Sequence, residues 1–315
     1  MKKPGVPRRS FGFESLGLTV ILAALVLGFR IAYPQFLAPV NVINILLTVS
    51  VIGILAVPWS MLCISGGLDI SIGSMMGFFA VTVVTLFAKL GLGLALSITA
   101  GLAVAAAVGL ANALLISKVG IPSIITTLGM YSVLRGAAFV VTGGQGVVSA
   151  DPAFKFIGLG RIGVLPFSVV LLILFFLAGH LVLNYTQYGR NLYVIGGNER
   201  AARVNGIGVE AVRTGLYVVT AMCAGFGGLI VASQLANALP KIGTGYEFAV
   251  ITAVVLGGVS LGGGRGSLYG VLLGILIIGT LRYGLEITGV HSFYQTIAEG
   301  VILLAAVALD QVRRT

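Results

Sequence analysis

The chain has 315 residues, of which 58% are hydrophobic and 9% are charged, and its formal net charge is +10. A soluble globular domain carries about 25% charged residues, so this chain has too few charges to cover a water-soluble surface. The composition therefore predicts a membrane protein. Because its basic residues lie at the ends of apolar segments, membrane orientation explains the positive charge better than a nucleic-acid partner does.

About ten apolar runs approach the roughly 20 residues that a membrane helix needs. In chain order they lie near 16–33, 40–64, 70–88, 92–116, 122–142, 164–184, 213–236, 246–260, 268–285 and 293–310. The eighth and ninth runs are short, and Pro58 predicts a kink or break in the second. The sequence thus predicts an all-α polytopic transmembrane helical bundle of about ten spans, forming one membrane domain over residues 1–315.

Lysine and arginine are unevenly divided between alternate connections. With the N-terminus inside, about twelve basic residues fall on the inner side and about six on the outer side, which is the bias of cytoplasmic loops. The inner group includes basic residues at both chain ends, namely Lys2, Lys3, Arg8, Arg9, Arg313 and Arg314. This division predicts that both termini are cytoplasmic.

The sequence carries no recognisable constellation of an intramembrane enzyme. It has no HExxH or GxSxG motif and no paired intramembrane carboxylates at helical spacing. Cys63 and Cys223 each lie alone in an apolar run, so no metal site is expected. The glycine-rich stretch 257–267 lacks the Gly-Lys-Ser/Thr ending that holds ATP phosphates. We therefore expect no catalytic residue, metal or cofactor on this chain, and any ATP that drives it binds another subunit.

Polar residues within apolar runs are candidates for a transport path or gate. Asp69 either caps the third span, a role that Ser71 could share, or belongs to a functional hinge, since irregular backbone at membrane depth survives only inside protein or beside a water cavity. Arg135 either pairs with a carboxylate such as Asp69 or reaches the outer surface. Thr127 and Gln234 either line a path or bond neighbouring helices. The acidic residues Glu247, Glu286 and Glu299 are expected near outer helix ends, in contact with water.

The connection 185–212 carries the densest charge in the chain. Its stretch 198–205 predicts a short polar helix, with Asn198 as the N-cap and Glu199 in the first turn. Gly206 is suited to end this helix at the position after the C-cap.

Four segments carry glycine-containing motifs in chain order: SGGLDISIGS at 65–74, IPSIITTLGM at 121–130 followed by Arg135 and Gly136, GRNLYVIGGN at 189–198, and ITAVVLGG at 251–258 continuing to GGGRGS. Together they resemble, in the same order, motifs of the ribose-type permease family. Members of that family are the membrane subunits of binding-protein-dependent ABC importers for simple sugars and for the signal autoinducer-2.

The resemblance implies a permease subunit of the bacterial inner (plasma) membrane that moves a monosaccharide such as a pentose or deoxyhexose. It implies a second permease subunit, identical or related, an ABC ATP-binding subunit that holds ATP and Mg, and a periplasmic sugar-binding protein. The segment coupled to the ATPase would comprise Arg190, Gly196, Gly197, Asn198, Glu199, Ala201, Ala202 and Gly206. The small Ala201 and Ala202 would let the short helix enter a cleft of the ATPase.

Other functions remain open from the residues alone. An ion-coupled secondary sugar transporter would work without an ATPase and would need an intramembrane carboxylate, for which Asp69 is the obvious candidate. A passive channel would need no energy source. The sugar is also open, because Glu247 and Thr252 depart from the family pattern. Thr252, together with the stretch 282–286, favours a rhamnose-like sugar or autoinducer-2.

Overall fold

The computed structural model describes residues 11–312, and this part of the chain is predominantly helical. Its α-helices are α1 (Phe11–Ala32), α2 (Pro39–Ile64), α3 (Ile72–Val84), α4 (Leu94–Leu114), α5 (Ser123–Thr142), α6 (Pro152–Leu159), α7 (Phe167–Tyr185), α8 (Gln187–Gly197), α9 (Glu199–Val204), α10 (Val209–Gln234), α11 (Tyr246–Leu256), α12 (Leu268–Ile287) and α13 (Ser292–Val312). Short π-helical turns extend α3 over Thr85–Lys89 and α4 over Leu115–Val119.

Two small antiparallel pairs of strands complete the secondary structure of the described residues. Strand β1 (Val147–Val148) pairs with β4 (Asn237–Ala238), and β2 (Arg161–Ile162) pairs with β3 (Leu165–Pro166). The first pair ties the connection after α5 to the connection after α10. Because α10 has 26 residues, its two ends are about 39 Å apart, so this pair lies at the opposite end of the bundle from α9.

Every predicted apolar run is a helix, and the all-α polytopic fold is confirmed. Eight helices of the described residues are long and apolar enough to cross a bilayer: α1, α2, α3 and α4 with their π-helical turns, α5, α7, α10 and α12. The eighth run instead forms the short apolar helix Tyr246–Leu256, and the tenth lies in α13, whose apolar part covers Phe293–Ala308. The ninth run, which we expected to be short, is a full 20-residue helix because it continues to Ile287.

The helix α2 lies at the centre of the bundle and does not break at Pro58. Every residue of α2 from Val49 to Ile64 is buried, and α2 packs against α7, α10, α11 and α12. Packing on all sides holds the helix through a proline that removes one of its hydrogen bonds. The helix ends instead at Ser65, where Gly66 has φ +82° and satisfies the usual requirement for glycine after a C-cap.

Glycines set the closest helix–helix contacts. Gly228 of α10 lies against the backbone of Met76 in α3, and Gly109 of α4 lies against the backbone of Tyr217 in α10. Without a side chain between them, the backbones approach closely, which is the main source of helix association in a bilayer. The basic residues at the chain ends that set the orientation lie outside the described residues, so the cytoplasmic placement of both termini stays a prediction.

The contact between α3 and α10 gives a direct test of the packing. In Gly228→Ala the added Cβ would overlap the Met76 backbone, so we expect a loss of about 1–3 kcal/mol, as for other overpacked cores. Gly28→Ala on the exposed face of α1, where nothing lies near the added atom, is the matched control and should change stability by less than about 1 kcal/mol. Thermal unfolding of both purified variants in detergent measures the difference, and equal midpoints would contradict the contact.

Candidate functional site

The charged connection after α7 folds into the two short helices α8 and α9. The Thr186 hydroxyl caps α8 by accepting from the Gly189 amide at 3.1 Å. The Asn198 side chain caps α9 by accepting from the Ala201 amide at 3.0 Å, and Gly206 follows the helix with φ +77°. The N-cap and the terminating glycine predicted from the sequence are therefore confirmed.

These two helices present a polar surface, which we call the α8–α9 surface. Its exposed residues include Arg190, Gly197, Asn198, Arg200, Ala201, Arg203, Val204 and Asn205. Val204 is 88% exposed, which is unusual for an aliphatic side chain. Ala202, in contrast, is completely buried against the chain's own core, so the expectation that both alanines enter a partner's cleft is wrong for Ala202. Neighbouring helix positions point in different directions, and only Ala201 faces outward.

Glycines from three distant segments meet beneath the α8–α9 surface, at Gly66, Gly196, Gly263 and Gly264. The amide of Gly264 donates to the Ile64 carbonyl at 2.8 Å, across the end of α2. A Cβ on Gly196 would overlap both of those groups, so only glycine fits there. This glycine junction joins three of the four segments that resemble family motifs, and the Tyr193 hydroxyl reinforces it by donating to the Gly266 carbonyl at 3.0 Å.

An ionic network connects α9 to the first turn of α10. Glu199 pairs with Arg203 at 2.8 Å and with Arg213 at 2.7 Å, while Arg203 also pairs with Glu210. Hydrogen bonds from Arg203, and to a lesser degree from Arg213, lower the pKa of the Glu199 carboxyl, against an opposing effect of partial burial. A carboxyl with a lowered pKa keeps its pairing at neutral pH and loses it as the pH falls through that pKa.

The residues between α2 and α3 form a non-helical segment, 65–71, which is buried or half-buried except at Gly66 and whose backbone is bonded by side chains. Arg213 donates to the Ser65 carbonyl, and the Tyr217 hydroxyl donates to the Leu68 carbonyl at 3.2 Å. The Trp59 indole donates to the Asp69 carbonyl at 2.8 Å. The amide of residue 70 donates to the Thr127 hydroxyl at 3.1 Å. Irregular backbone away from water requires such partners, so these side chains make the segment possible.

Asp69 and Ser71 together end this segment and begin α3. Asp69 Oδ1 accepts from both the amide and the hydroxyl of Ser71, at 2.8 and 2.6 Å, while Ser71 occupies the N-cap position without a side-chain cap bond. The Ser71 hydroxyl in turn accepts from the Asn112 amide at 3.2 Å, which ties α4 to the cluster. Asp69 thus bonds the residue at the N-cap position and no amide of α3, so the predicted side-chain cap of this helix is wrong for both residues, and the Asp69 carboxylate is fully buried.

Arg135 does not contact Asp69, the carboxylate named as its expected partner, and bonds backbone carbonyls instead. Its guanidinium donates to the carbonyls of Pro240 at 2.6 Å, Ile242 at 3.1 Å and Gly73 at 3.3 Å. Arg135 also lies over the ring of Tyr131, 5.4 Å from its centroid. Arg135 therefore links α5 to α3 and to the irregular connection that precedes α11. Its guanidinium bonds backbone carbonyls there and does not reach the Asp69 carboxylate.

Two of the three acidic residues expected at the water-exposed edge are buried. Glu247, in the first turn of α11, is 3% exposed, and its carboxylate lies against Gly73. Glu299 is 6% exposed and pairs with Arg282 at 2.5 Å. Arg282 also lies 4.6 Å from the centroid of the Tyr246 ring. Only Glu286 is exposed as expected. Arg282 of α12 thus contacts the first turn of α11, while Arg135 of α5 bonds the connection that precedes it.

The predicted path residues therefore form two groups. Asp69, Ser71 and Thr127 lie around the 65–71 segment, and Arg135 and Glu247 both lie next to Gly73. Gln234 belongs to neither group, since it lies at the far end of α10, where its backbone amide faces Gly158.

The site also contains residues that the sequence did not single out. Arg213 counted only toward membrane orientation, and Trp59, Asn112 and Tyr217 were single polar groups in apolar runs, with no local signal of their role. Among the described residues, no three His, Cys, Asp or Glu side chains are grouped as metal ligands would be.

Residues 41–307 match the model of a family described as the permease component of a branched-chain amino acid transport system. The chain is 38% identical to the ribose import permease protein of Bacillus subtilis (strain 168), over 95% of this chain and 93% of that protein. It is 35% identical to the ribose import permease protein of Escherichia coli (strain K12), over 94% and 92%. It is also 35% identical to the L-arabinose transport system permease protein of the same strain, over 98% and 95%. No solved structure matches the chain.

The cluster at Asp69 predicts that the acceptor oxygen matters more to the fold than the charge does. Asp69→Asn keeps an Oδ1 that can accept from Ser71, so we expect its unfolding free energy to stay within about 1 kcal/mol of the wild type. Asp69→Ala leaves two buried donors of Ser71 without an acceptor and should cost about 1–3 kcal/mol. Thermal unfolding in detergent compares the two. Equal losses would mean that the charge itself holds the segment.

Proposed function

This chain belongs to the family of permease components just described, and from that premise we propose that it moves a pentose through the membrane for an ATP-driven importer. The chain is a sugar-importer permease subunit and a multi-pass protein of the bacterial inner membrane. A permease component has no ATP-binding site of its own, so the ATPase activity belongs to a partner subunit. The 38% identity to a ribose import permease over 95% of the chain carries the proposal.

The proposed substrate follows from the relatives of nearly full length. Their names specify ribose and L-arabinose, which are both aldopentoses. The description of the family names branched-chain amino acids, but the full-length similarity to sugar permeases favours a sugar. A pentose is also favoured over the rhamnose-like sugar or autoinducer-2 suggested by Thr252. Specificity would reside mainly in a periplasmic binding protein that delivers the sugar.

The proposed assembly contains two permease subunits, identical or related, and two ATP-binding subunits that hold ATP and Mg. The α8–α9 surface supports this proposal because it joins three features that a docking site needs. It protrudes as a capped helix, it exposes an aliphatic side chain at Val204, and it rests on the rigid glycine junction. Arg190, Gly197, Asn198 and Ala201 would contact the ATPase, whereas Gly196 and Ala202 would support the surface from below.

The proposed gate lies where α3 and α11 begin. Irregular backbone precedes each of these helices, at 65–71 and at 239–245. Arg135 bonds the carbonyl of Gly73 in α3 and the carbonyls of Pro240 and Ile242 before α11, and the Glu247 carboxylate lies against Gly73. Because the backbone before each helix is irregular and supported by side chains, the starts of α3 and α11 can move without unfolding a full span. In the proposal, ATP-driven movement of the α8–α9 surface separates these ends and opens the path.

Purification in mild detergent from the native cell tests the assembly and the substrate together. We expect a stoichiometric ATP-binding subunit to accompany the chain. The reconstituted complex should take up ribose or L-arabinose in an ATP-dependent manner when the binding protein is supplied. Leucine and rhamnose are the comparison substrates. Transport by this chain alone, driven by an ion gradient, would instead establish the secondary transporter, and ATP-dependent uptake of leucine alone would overturn the pentose.

Substitution at the α8–α9 surface tests the docking site. Ala201→Arg adds a long charged side chain to the outward face of α9 and should reduce ATPase binding at least tenfold, with transport lost in parallel. Ala150→Arg is the matched control, because Ala150 is equally exposed but lies at the opposite end of the bundle. Co-purification of the ATPase measures both. If the Ala201→Arg variant retained the ATPase, α9 would not be part of the interface. Ala202 is unsuitable for this test because it is buried.

A further inference from the structure

We propose that Arg213 is the positioning residue that transmits movement of α9 to the buried 65–71 segment. The inference rests on the proposed function, since it assigns the first internal step of coupling within this chain. It concerns the linkage behind the α8–α9 surface, and it would hold whichever sugar is moved.

The guanidinium of Arg213 bonds in two directions. One terminal nitrogen pairs with Glu199 of α9 at 2.7 Å. The other terminal nitrogen and Nε both donate to the Ser65 carbonyl, at 2.7 and 3.1 Å. A guanidinium is planar and its donors are fixed relative to one another, so a shift of the carboxylate on one side changes the geometry on the other. Arg213 therefore acts as a rigid connector between a surface helix and the end of α2.

The bond to Ser65 is placed where it controls the following segment. Ser65 caps the C-terminal end of α2, where helix carbonyls lack internal partners and carry partial negative charge. One turn further along α10, Tyr217 donates to the Leu68 carbonyl. The same face of α10 thus holds the backbone at both residues 65 and 68. The chain from 65 leads within a few residues to Asp69, Ser71 and the start of α3, which is one half of the proposed gate.

Arg203 provides a natural comparison on the same carboxylate. It also pairs with Glu199, at 2.8 Å, but its other partner is Glu210 on the protein surface. It makes no hydrogen bond to the 65–71 segment among the bonds of the described residues. The two arginines therefore share a partner and a charge but differ in whether they reach the segment. If the ionic network only stabilised the protein, loss of either arginine would have a similar effect on the coupling of ATP hydrolysis to import. If Arg213 connects α9 to the segment, loss of Arg213 would have the larger effect.

The central experiment compares Arg213→Gln with Arg203→Gln in the complete transporter, reconstituted in proteoliposomes with its ATPase and binding protein. The readout is the number of ATP molecules hydrolysed per sugar imported. We expect Arg213→Gln to keep the ATPase bound and hydrolysing, while sugar import falls about tenfold, so that the ratio rises. Arg203→Gln should keep the ratio within about twofold of the wild type. An unchanged ratio in Arg213→Gln, or an equal rise in both variants, would overturn the inference.

A second measurement uses the permease alone and does not depend on an ATPase. Hydrogen–deuterium exchange of peptides that cover 65–71 should become at least tenfold faster in Glu199→Ala, in which Arg213 keeps its bonds to Ser65 but loses its anchor on α9. Peptides in α12, remote from the network, serve as the internal control. Unchanged exchange at 65–71 would overturn the linkage even if Arg213→Gln does not fold. An absence of ATPase from the wild-type preparation would instead count against the proposed function, so the two failures are distinguishable.

Discussion

The structure depends on how backbone groups are satisfied where helices stop inside the bundle. Water is not available there, so each carbonyl and amide that leaves a helix needs a partner from the protein itself. The 65–71 segment obtains its partners from Trp59, Thr127, Arg213 and Tyr217, which belong to three different helices. The connection before α11 obtains them from Arg135. A movement of any of these helices therefore changes the hydrogen bonds of the irregular backbone before it changes the regular spans. The movement is thereby confined to the irregular segments.

The glycine motifs have a physical basis in the same region. Gly66, Gly196, Gly263 and Gly264 are far apart in sequence, yet their backbones touch. A Cβ at Gly196 would separate α8 from the end of α2, and the α8–α9 surface would lose its support. Rigid support matters because a surface that deforms when its partner moves does not pass that movement on to the rest of the protein. Glycines of separate motifs thus meet at one junction of the fold. Within any one motif, nothing in the sequence shows why glycine is needed.

Local patterns in the sequence were sufficient for the helices and for the caps of α9, because apolar length and capping depend on residues near one another. They were insufficient for the partners of Arg135, Glu247 and Glu299, because those partners come from other helices. The same limit explains Ala202: a six-residue helix contains too few positions to show which face is buried. Arg213 was overlooked because an arginine near a span end satisfies the orientation rule equally well whether or not it also holds the backbone.

The distribution of charge suggests how the interior can be both stable and movable. A buried charge that loses its partner is costly, whereas one with several weak partners can exchange them at lower cost. Arg135 is bonded to three carbonyls on two segments, and Arg282 combines a carboxylate with an aromatic ring. Neither depends on one contact alone. The start of α11, which contacts Arg282, and the connection before it, which is bonded to Arg135, can therefore shift relative to α12 or α5 while part of each arginine's bonding is retained. A single strong ion pair in the same place would lock the two helix ends together.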